Sequence, residues 1–478
     1  MKKINKNDPL IKYGGYASLM TAIVVVVVII LNMAVSQFDI KFDLTKNKLY
    51  TLSQDTVSLI KDLEQDVNIY SLYAEGSEIT VVTEILDKYA SYSDHINVSN
   101  VDPYTDPSFT VKYTQNGQAP TVGSIVVETD SGFSVIPYDE VANISVDQMS
   151  QTAYIRGIKL ESVLTGTIRQ LTNGAEEFVY QLTGHGETAL GEDLEKELGY
   201  SGFELKTLDL ITSGTMPEDC GILVINGPVS DISQRELDEI GKYLQGGGKA
   251  FISFTLTTSE MPNFDSLLAD YGIANSGRIV MEGDANHALN NNALYLVPDL
   301  NAENEISSSL VDAGTTIFMP VSVSIDSLQA KRSTVNIEEA AATSQYAYSK
   351  DIMEITAENN GAKADGDPEG SFTIAAAITD TDINGVEEGT KIVVSGTPML
   401  LDDSTNNLVN GGNYGFVMNA FDWLNGVESI DRTKSIGAEE YLQITQSKAI
   451  VIMFVSVIVI PLAILLVGVA VFIKRRNK

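Results

Sequence analysis

Hydrophobic and polar positions fall into their clearest rhythm between Phe178 and Phe254. Phe178-Val179-Tyr180-Gln181-Leu182 reads as a strand and Gly184-His185-Gly186-Glu187 as the turn that closes it. Leu190, Leu194 and Leu198 then recur at helical spacing before Gly199. A further strand is expected at Phe203 to Leu208. Cys220 to Ile225 is an apolar run of the kind buried on both faces of a parallel sheet, and Asn226-Gly227-Pro228 stops it. Ser233 with Glu236 three residues on predicts a capping box, followed by Leu237, Ile240 and Leu244 on one helical face. Gly246-Gly247-Gly248 ends that helix before a strand from Ala250 to Phe254. Strands alternating with helices predict an α/β fold with a doubly wound parallel sheet.

Upstream, Ser53 is a suitable N-cap for a helix through Leu63, and Val67 to Tyr73 reads as a strand. Val82, Ile85, Leu86 and Tyr89 share one helical face, and Ile96 to Val101 is again strand-like. A hairpin-like pair at Ser124 to Thr129 and Phe133 to Pro137, then a helix from about Gly157 to Leu171, complete a small α/β domain over residues 39–172. A larger α/β domain is expected over 176–430. Its pattern loosens after Phe254, returning as strands at Phe372 to Ile378 and Lys391 to Ser395 and as a helix from Asn413 to Leu424. Residues 431–448 read as a polar linker.

Both ends carry long uncharged runs. Residues 17–35 span roughly 28 Å as a helix, about one bilayer core, and read as a retained membrane helix or a cleaved signal peptide with the small-x-small site Ala34-Val35-Ser36. Residues 449–473 are uncharged for 25 positions and are followed by Lys474, Arg475, Arg476 and Lys478. With Lys2, Lys3, Lys6 and Lys12 at the other end, the positive-inside pattern predicts a two-pass cell-membrane protein. Its tails, 1–16 and 474–478, would be cytoplasmic and its large region extracytoplasmic between N- and C-terminal transmembrane helices, with the lipid bilayer as a partner.

Charge and cysteine content then narrow the chemistry. Residues 36–448 hold 23 basic against 63 acidic residues, a net charge of −40, which repels nucleic acid. Cys220 is the one cysteine, so a disulfide within the chain, a Cys-rich metal knuckle and a Cys-x-x-Cys redox pair are all excluded. It begins its strand, away from the carboxyl edge where α/β sites lie, and reads as a core residue. Gly246-Gly247-Gly248-Lys249 follows a helix and precedes a strand, the reverse of a phosphate-binding loop, so no nucleotide or other cofactor is expected. Asp380-Thr381-Asp382-Ile383-Asn384-Gly385 opens like a calcium loop but has Lys391 at the twelfth position; a plain acidic turn is expected and no metal site.

Parallel topology would bring Gly184, His185, Gly186 and Glu187 together with Asn226, Gly227 and Pro228 along one crevice at the sheet edge. Two readings of that crevice stand. One is a tight strand-to-helix turn with Glu187 as a favourable first-turn acid. The other is a polar ligand site in which His185 and Glu187 offer a donor and an acceptor. His95 and His287 read as solvent-facing loop residues.

Five segments in order resemble the GldG family of auxiliary proteins of ABC transporters. They are Asp43-Leu44-Thr45 with Leu49 to Ser53, Leu182 to Glu187, Asn226-Gly227-Pro228, Gly246 to Lys249, and Asn413 to Gly426. The resemblance implies an amidotransferase-like central domain, also similar to the GIFT domain of an intraflagellar-transport protein. It further implies a non-catalytic extracytoplasmic auxiliary subunit partnering an ABC-2-type permease and ATPase, as a scaffold or with a carbohydrate ligand. The alternative is an extracytoplasmic hydrolase on the same fold. Against it, Asn226-Gly227-Pro228 stands where an enzyme of that fold needs a nucleophile, so no catalytic residue is expected.

Overall fold

The computed structural model describes residues 49–115, 117–146, 153–172, 177–355, 361–381, 389–426 and 434–435, with isolated positions at 20, 21, 23, 24, 26 and 468. The chain divides into two compact units, Met1–Thr51 and Leu52–Lys478. The architecture described below is that of the second.

Its first layer is built on β1 (Val67–Leu72) and β2 (Ile96–Val101), paired parallel, with β3 (Ile125–Thr129) antiparallel to β1 and β4 (Gly132–Ile136) closing a hairpin, in the order β2-β1-β3-β4. Ser53 caps α1 (Gln54–Lys61), its Oγ accepting from Thr56 N. The expected face of α2 (Thr80–Tyr92) is inward, with Val82, Ile85, Leu86 and Tyr89 buried. An antiparallel pair, β5 (Ala142–Val146) and β6 (Ala153–Ile158), precedes α3 (Leu160–Thr172). The helix therefore starts three residues later than expected, because Gly157 belongs to a strand that periodicity did not show.

The second layer is one eight-stranded sheet. Its elements and neighbours follow in chain order as β7 (Glu177–Leu182), β8 (Phe203–Leu208), β9 (Ile222–Asn226), β10 (Lys249–Ser253), β11 (Ile273–Met281), β12 (Val323–Ser327), β13 (Val335–Ala342), β14 (Tyr348–Asp351), β15 (Thr373–Asp380) and β16 (Thr390–Ser395). The sheet runs from the two-residue strand Asp299–Leu300 through β13-β15-β16-β10-β9-β7-β8. From β16 to β8 the pairing is parallel; β15 pairs antiparallel with β16, and β13 antiparallel with β15. The fully parallel sheet expected from alternation is thus corrected to a mixed one, and β11, β12 and β14 form a separate antiparallel sheet.

Helices cover both faces. On one, Leu194 and Leu198 of α4 (Glu192–Tyr200) join the apolar cluster of Val179, Val224 and Phe251. On the other, Ile240 and Leu244 of α5 (Gln234–Gln245), with Phe264, Leu267 and Leu268 of α6 (Pro262–Asp270), pack on Leu223, Ile225 and Ile252. The expected inward residues of α7 (Gly412–Asn425), namely Phe416, Val417, Ala420, Phe421 and Leu424, are all buried on the α4 face. Pro262 at the start of α6 supplies the fixed φ of a first helical turn.

Among the described residues no helix is long and apolar enough to cross a membrane. This overturns the expected flanking transmembrane helices, the two-pass topology and the extracytoplasmic placement built on them. A helix crosses a bilayer core with about 20 consecutive apolar residues, and no described helix supplies them. Segments 17–35 and 449–473, the tails beyond them and the polar linker 431–448 lie almost wholly outside the described residues, as does Asp43-Leu44-Thr45.

Candidate functional site

The chain leaves β7 for one side of the sheet, to β8, and then crosses to the other side of β7 to form β9. The strand order reverses there, so the carboxyl ends of β7 and β9 flank the crevice where α/β folds hold ligands. Both sequence-predicted segments meet at this point. Val229 N and Ser230 N donate to His185 O at 2.9 and 3.1 Å, tying the turn after β9 to the turn after β7. Gly184 and Gly186 take positive φ, 118° and 79°, which lets the backbone reverse around His185.

The side chains expected to face a ligand are turned inward. His185 is 3% exposed and the Glu187 side chain 2%. His185 Nδ1 lies 2.9 Å from Glu187 Oε1, and Glu187 Oε2 accepts from His185 N at 2.8 Å. The other ring nitrogen, Nε2, lies 3.3 Å from Oε2 of Glu236, whose side chain is equally buried. That same Oε2 accepts from Ser233 N at 2.8 Å in the expected capping box. Glu236 therefore serves as both cap and clasp. Its sequence signal was the cap alone; nothing local announced the second partner.

Electrostatics follow from this enclosure. The hydrogen bond to Glu187 raises the His185 pKa above its ordinary 6.5, against the opposing effect of burial and with help from Glu236. Burial alone would raise the Glu187 carboxyl, but the His185 ring and backbone N–H groups bring it below its ordinary 4.5. The His185 ring is thus held between two carboxylates, with both nitrogens engaged and neither open to a substrate.

The crevice itself is filled by the chain. Gln181 Nε2 and Asn226 Nδ2 both donate to Thr188 O at 2.9 Å, and Thr188 N returns a bond to Asn226 O at 2.8 Å. Gly227, at φ 67°, donates to Ser253 O, and a Cβ on it would lie 2.8 Å from Pro398 Cβ. Asn226, Gly227 and Pro228 are all buried. What remains exposed at this edge is mixed: glycine backbone and two apolar side chains, with the polar Asp209, Thr212 and Ser230 beside them. Gly184 and Gly186 face outward beside Ile211, 61% exposed, and Val229, 44% exposed. A Cβ on Gly186 would sit 2.4 Å from Val229 Cγ2, and one on Gly184 would sit 3.4 Å from Ile211 Cδ1. Sequence reading missed these two rim residues.

Elsewhere, Cys220 lies just before β9 at the opposite, amino edge, where burial pushes its thiol up to about 11. Lys249, after the three glycines, donates to Asn425 Oδ1 at 3.0 Å. Asp380 ends β15 with its carboxylate held by Arg332 Nε at 3.0 Å, and positions 382–388 lie outside the described residues. His95 faces solvent and pairs with Asp66 at 2.9 Å, whereas His287 sits between Asp284 and Asp299.

Comparison with known proteins adds a partial match. Residues 46–138 match a family described as a domain of unknown function, DUF7088. No curated protein matches the chain. Among solved structures, the chain is similar to the mmIFT52 N-terminal domain at 16% identity, covering 52% of this chain and 96% of that one with a TM-score of 0.37. A putative ThuA-like protein from Bacteroides uniformis matches at 13% identity over 52% of this chain and 90% of that one, with a TM-score of 0.32. A β-galactosidase from Rahnella sp. R3 matches at 9% identity over 56% of this chain and 34% of its own, with a TM-score of 0.28.

Proposed function

We propose that the chain is a non-catalytic scaffold subunit that docks a protein partner at the carboxyl edge of its central sheet. The expected partners are the permease and ATPase of an ABC complex, carried over from the resemblance above. One observation carries the reading. The switch-point crevice is closed by the chain's own Thr188, and the imidazole beside it is locked between Glu187 and Glu236. Chemistry on a substrate needs an open position and a group free to exchange protons, and among the described residues this edge offers neither. It does present exposed Ile211 and Val229 around two exposed glycines, with Asp209, Thr212 and Ser230 at the margin, an apolar centre with a polar rim of the kind a protein partner covers.

Co-purification from the native host tests this. Wild-type chain should bring down the permease and ATPase, and Ile211→Arg with Val229→Arg should lose them while unfolding at the wild-type temperature. Retention of both partners by the double variant, or their absence from the wild-type preparation, would overturn the proposal. So would turnover of an ester, amide or glycoside by the purified chain.

A further inference from the structure

Asn226, Ser253 and Ser395 are the last residues of β9, β10 and β16, and the parallel register sets Asn226 beside Ser253 and Ser253 beside Ser395. In-register neighbours project from the same face of a sheet. Val224, Phe251 and Val393, two residues back on each strand, belong to the cluster under α4 and α7, so the three polar side chains point to that covered side. None of the three is exposed to solvent.

Their hydrogen bonds do not balance. Ser395 Oγ donates to Thr397 O at 2.8 Å and is satisfied. Asn226 spends its amide nitrogen on Thr188 O. Asn226 Oδ1 and Ser253 Oγ, on adjacent strands, have no hydrogen-bond partner among the described residues. Buried polar atoms left bare are rare in native interiors, and ordered water is the usual remedy.

We infer that Asn226 Oδ1 and Ser253 Oγ share one internal water, held at the adjacent carboxyl ends of β9 and β10. The chemistry selects this occupant. Asn226 Oδ1 can only accept, so the occupant must donate a hydrogen bond; Ser253 can then accept or donate. An anion has no donor for Asn226, and a metal ion would find no carboxylate among these side chains. The water also fixes the Asn226 amide: with Oδ1 solvated, Nδ2 stays on Thr188, the residue that fills the crevice. This goes beyond the docking role and does not depend on it.

A crystal structure of the whole chain, at a resolution that shows ordered water, decides the matter. Expected is a single spherical peak within about 3 Å of both atoms. Ser253→Ala should lose that peak, because one side-chain partner no longer holds it. The inference is overturned by an empty site, by a direct Ser253–Asn226 hydrogen bond, or by a peak that persists undiminished in Ser253→Ala.

Discussion

His185 and Glu236, 51 positions apart in sequence, meet with Nε2 3.3 Å from Oε2. The contact joins the turn after β7 to the first turn of α5, and with Glu187 on the other nitrogen it encloses a buried imidazole. Removing the ring leaves two buried carboxylates facing a void. His185→Ala should therefore destabilise the fold by about 3 kcal/mol, read by urea unfolding monitored through circular dichroism.

The clasp also sets a pH dependence. His185 has its pKa raised above 6.5, so its contribution is complete below 6.5 and is lost as pH rises through the raised value. Glu187 has its pKa lowered from 4.5, so its contribution is complete above 4.5 and is lost as pH falls through the lowered value. The difference in stability between wild type and His185→Ala should be largest between pH 4.5 and 6.5 and shrink on either side. A difference that stays flat from pH 5 to 9, bounds set around the ordinary imidazole pKa of about 6.5, would show that His185 is not charged in the fold.

Cap and clasp can be separated. Ser233→Ala removes the hydroxyl that accepts from Glu236 N and should cost about 1 kcal/mol. Glu236→Ala removes both the cap partner and a buried carboxylate from His185, and should cost about 3 kcal/mol. In a His185→Ala background the Glu236→Ala cost should fall, with a coupling of about 1 to 3 kcal/mol in a double-mutant cycle. Strict additivity would place the two residues in separate interactions.

What was legible in the sequence follows from where the determinants lie. β8 matched residue for residue, and the inward face of α7 emerged intact, because both are set by local periodicity. Ser233 and Glu236 announced their cap three residues apart. That Glu236 would also reach His185 depends on β7 and β9 lying side by side, which no local pattern encodes. β13 was missed for another reason: its register shifts at Glu339 and Ala341 break the two-residue alternation that a strand normally shows. α6 did carry a signal, Pro262 followed by Phe264, Leu267 and Leu268 at helical spacing.

The first layer meets the second where α3 lies on α4, and Gly166 marks the closest approach. A Cβ there would fall 1.8 Å from Tyr200 O, a backbone atom at the end of α4. Backbone cannot yield as a flexible side chain would, so the helices must separate. Gly166→Ala should cost about 1 to 3 kcal/mol although alanine favours a helix, and the loss should appear in the urea midpoint. A neutral or stabilising outcome would mean that the two helices are not in contact in solution.

Cys220 offers a test of the non-catalytic reading that needs no knowledge of any partner. Burial lifts its thiol from 9.0 to about 11, and its place before β9 sets it at the amino edge, remote from the crevice beside His185. The thiolate is the reactive form, and a thiol held that high carries about 100-fold less of it at neutral pH. Alkylation of native protein by iodoacetamide should be at least that much slower than alkylation in urea, and its rate should still be climbing above the ordinary thiol value of 9.0. Cys220→Ser should leave partner co-purification unchanged. Rapid alkylation that levels off near pH 7, well below that ordinary value, would instead reveal an activated thiolate and return Cys220 to consideration as a nucleophile.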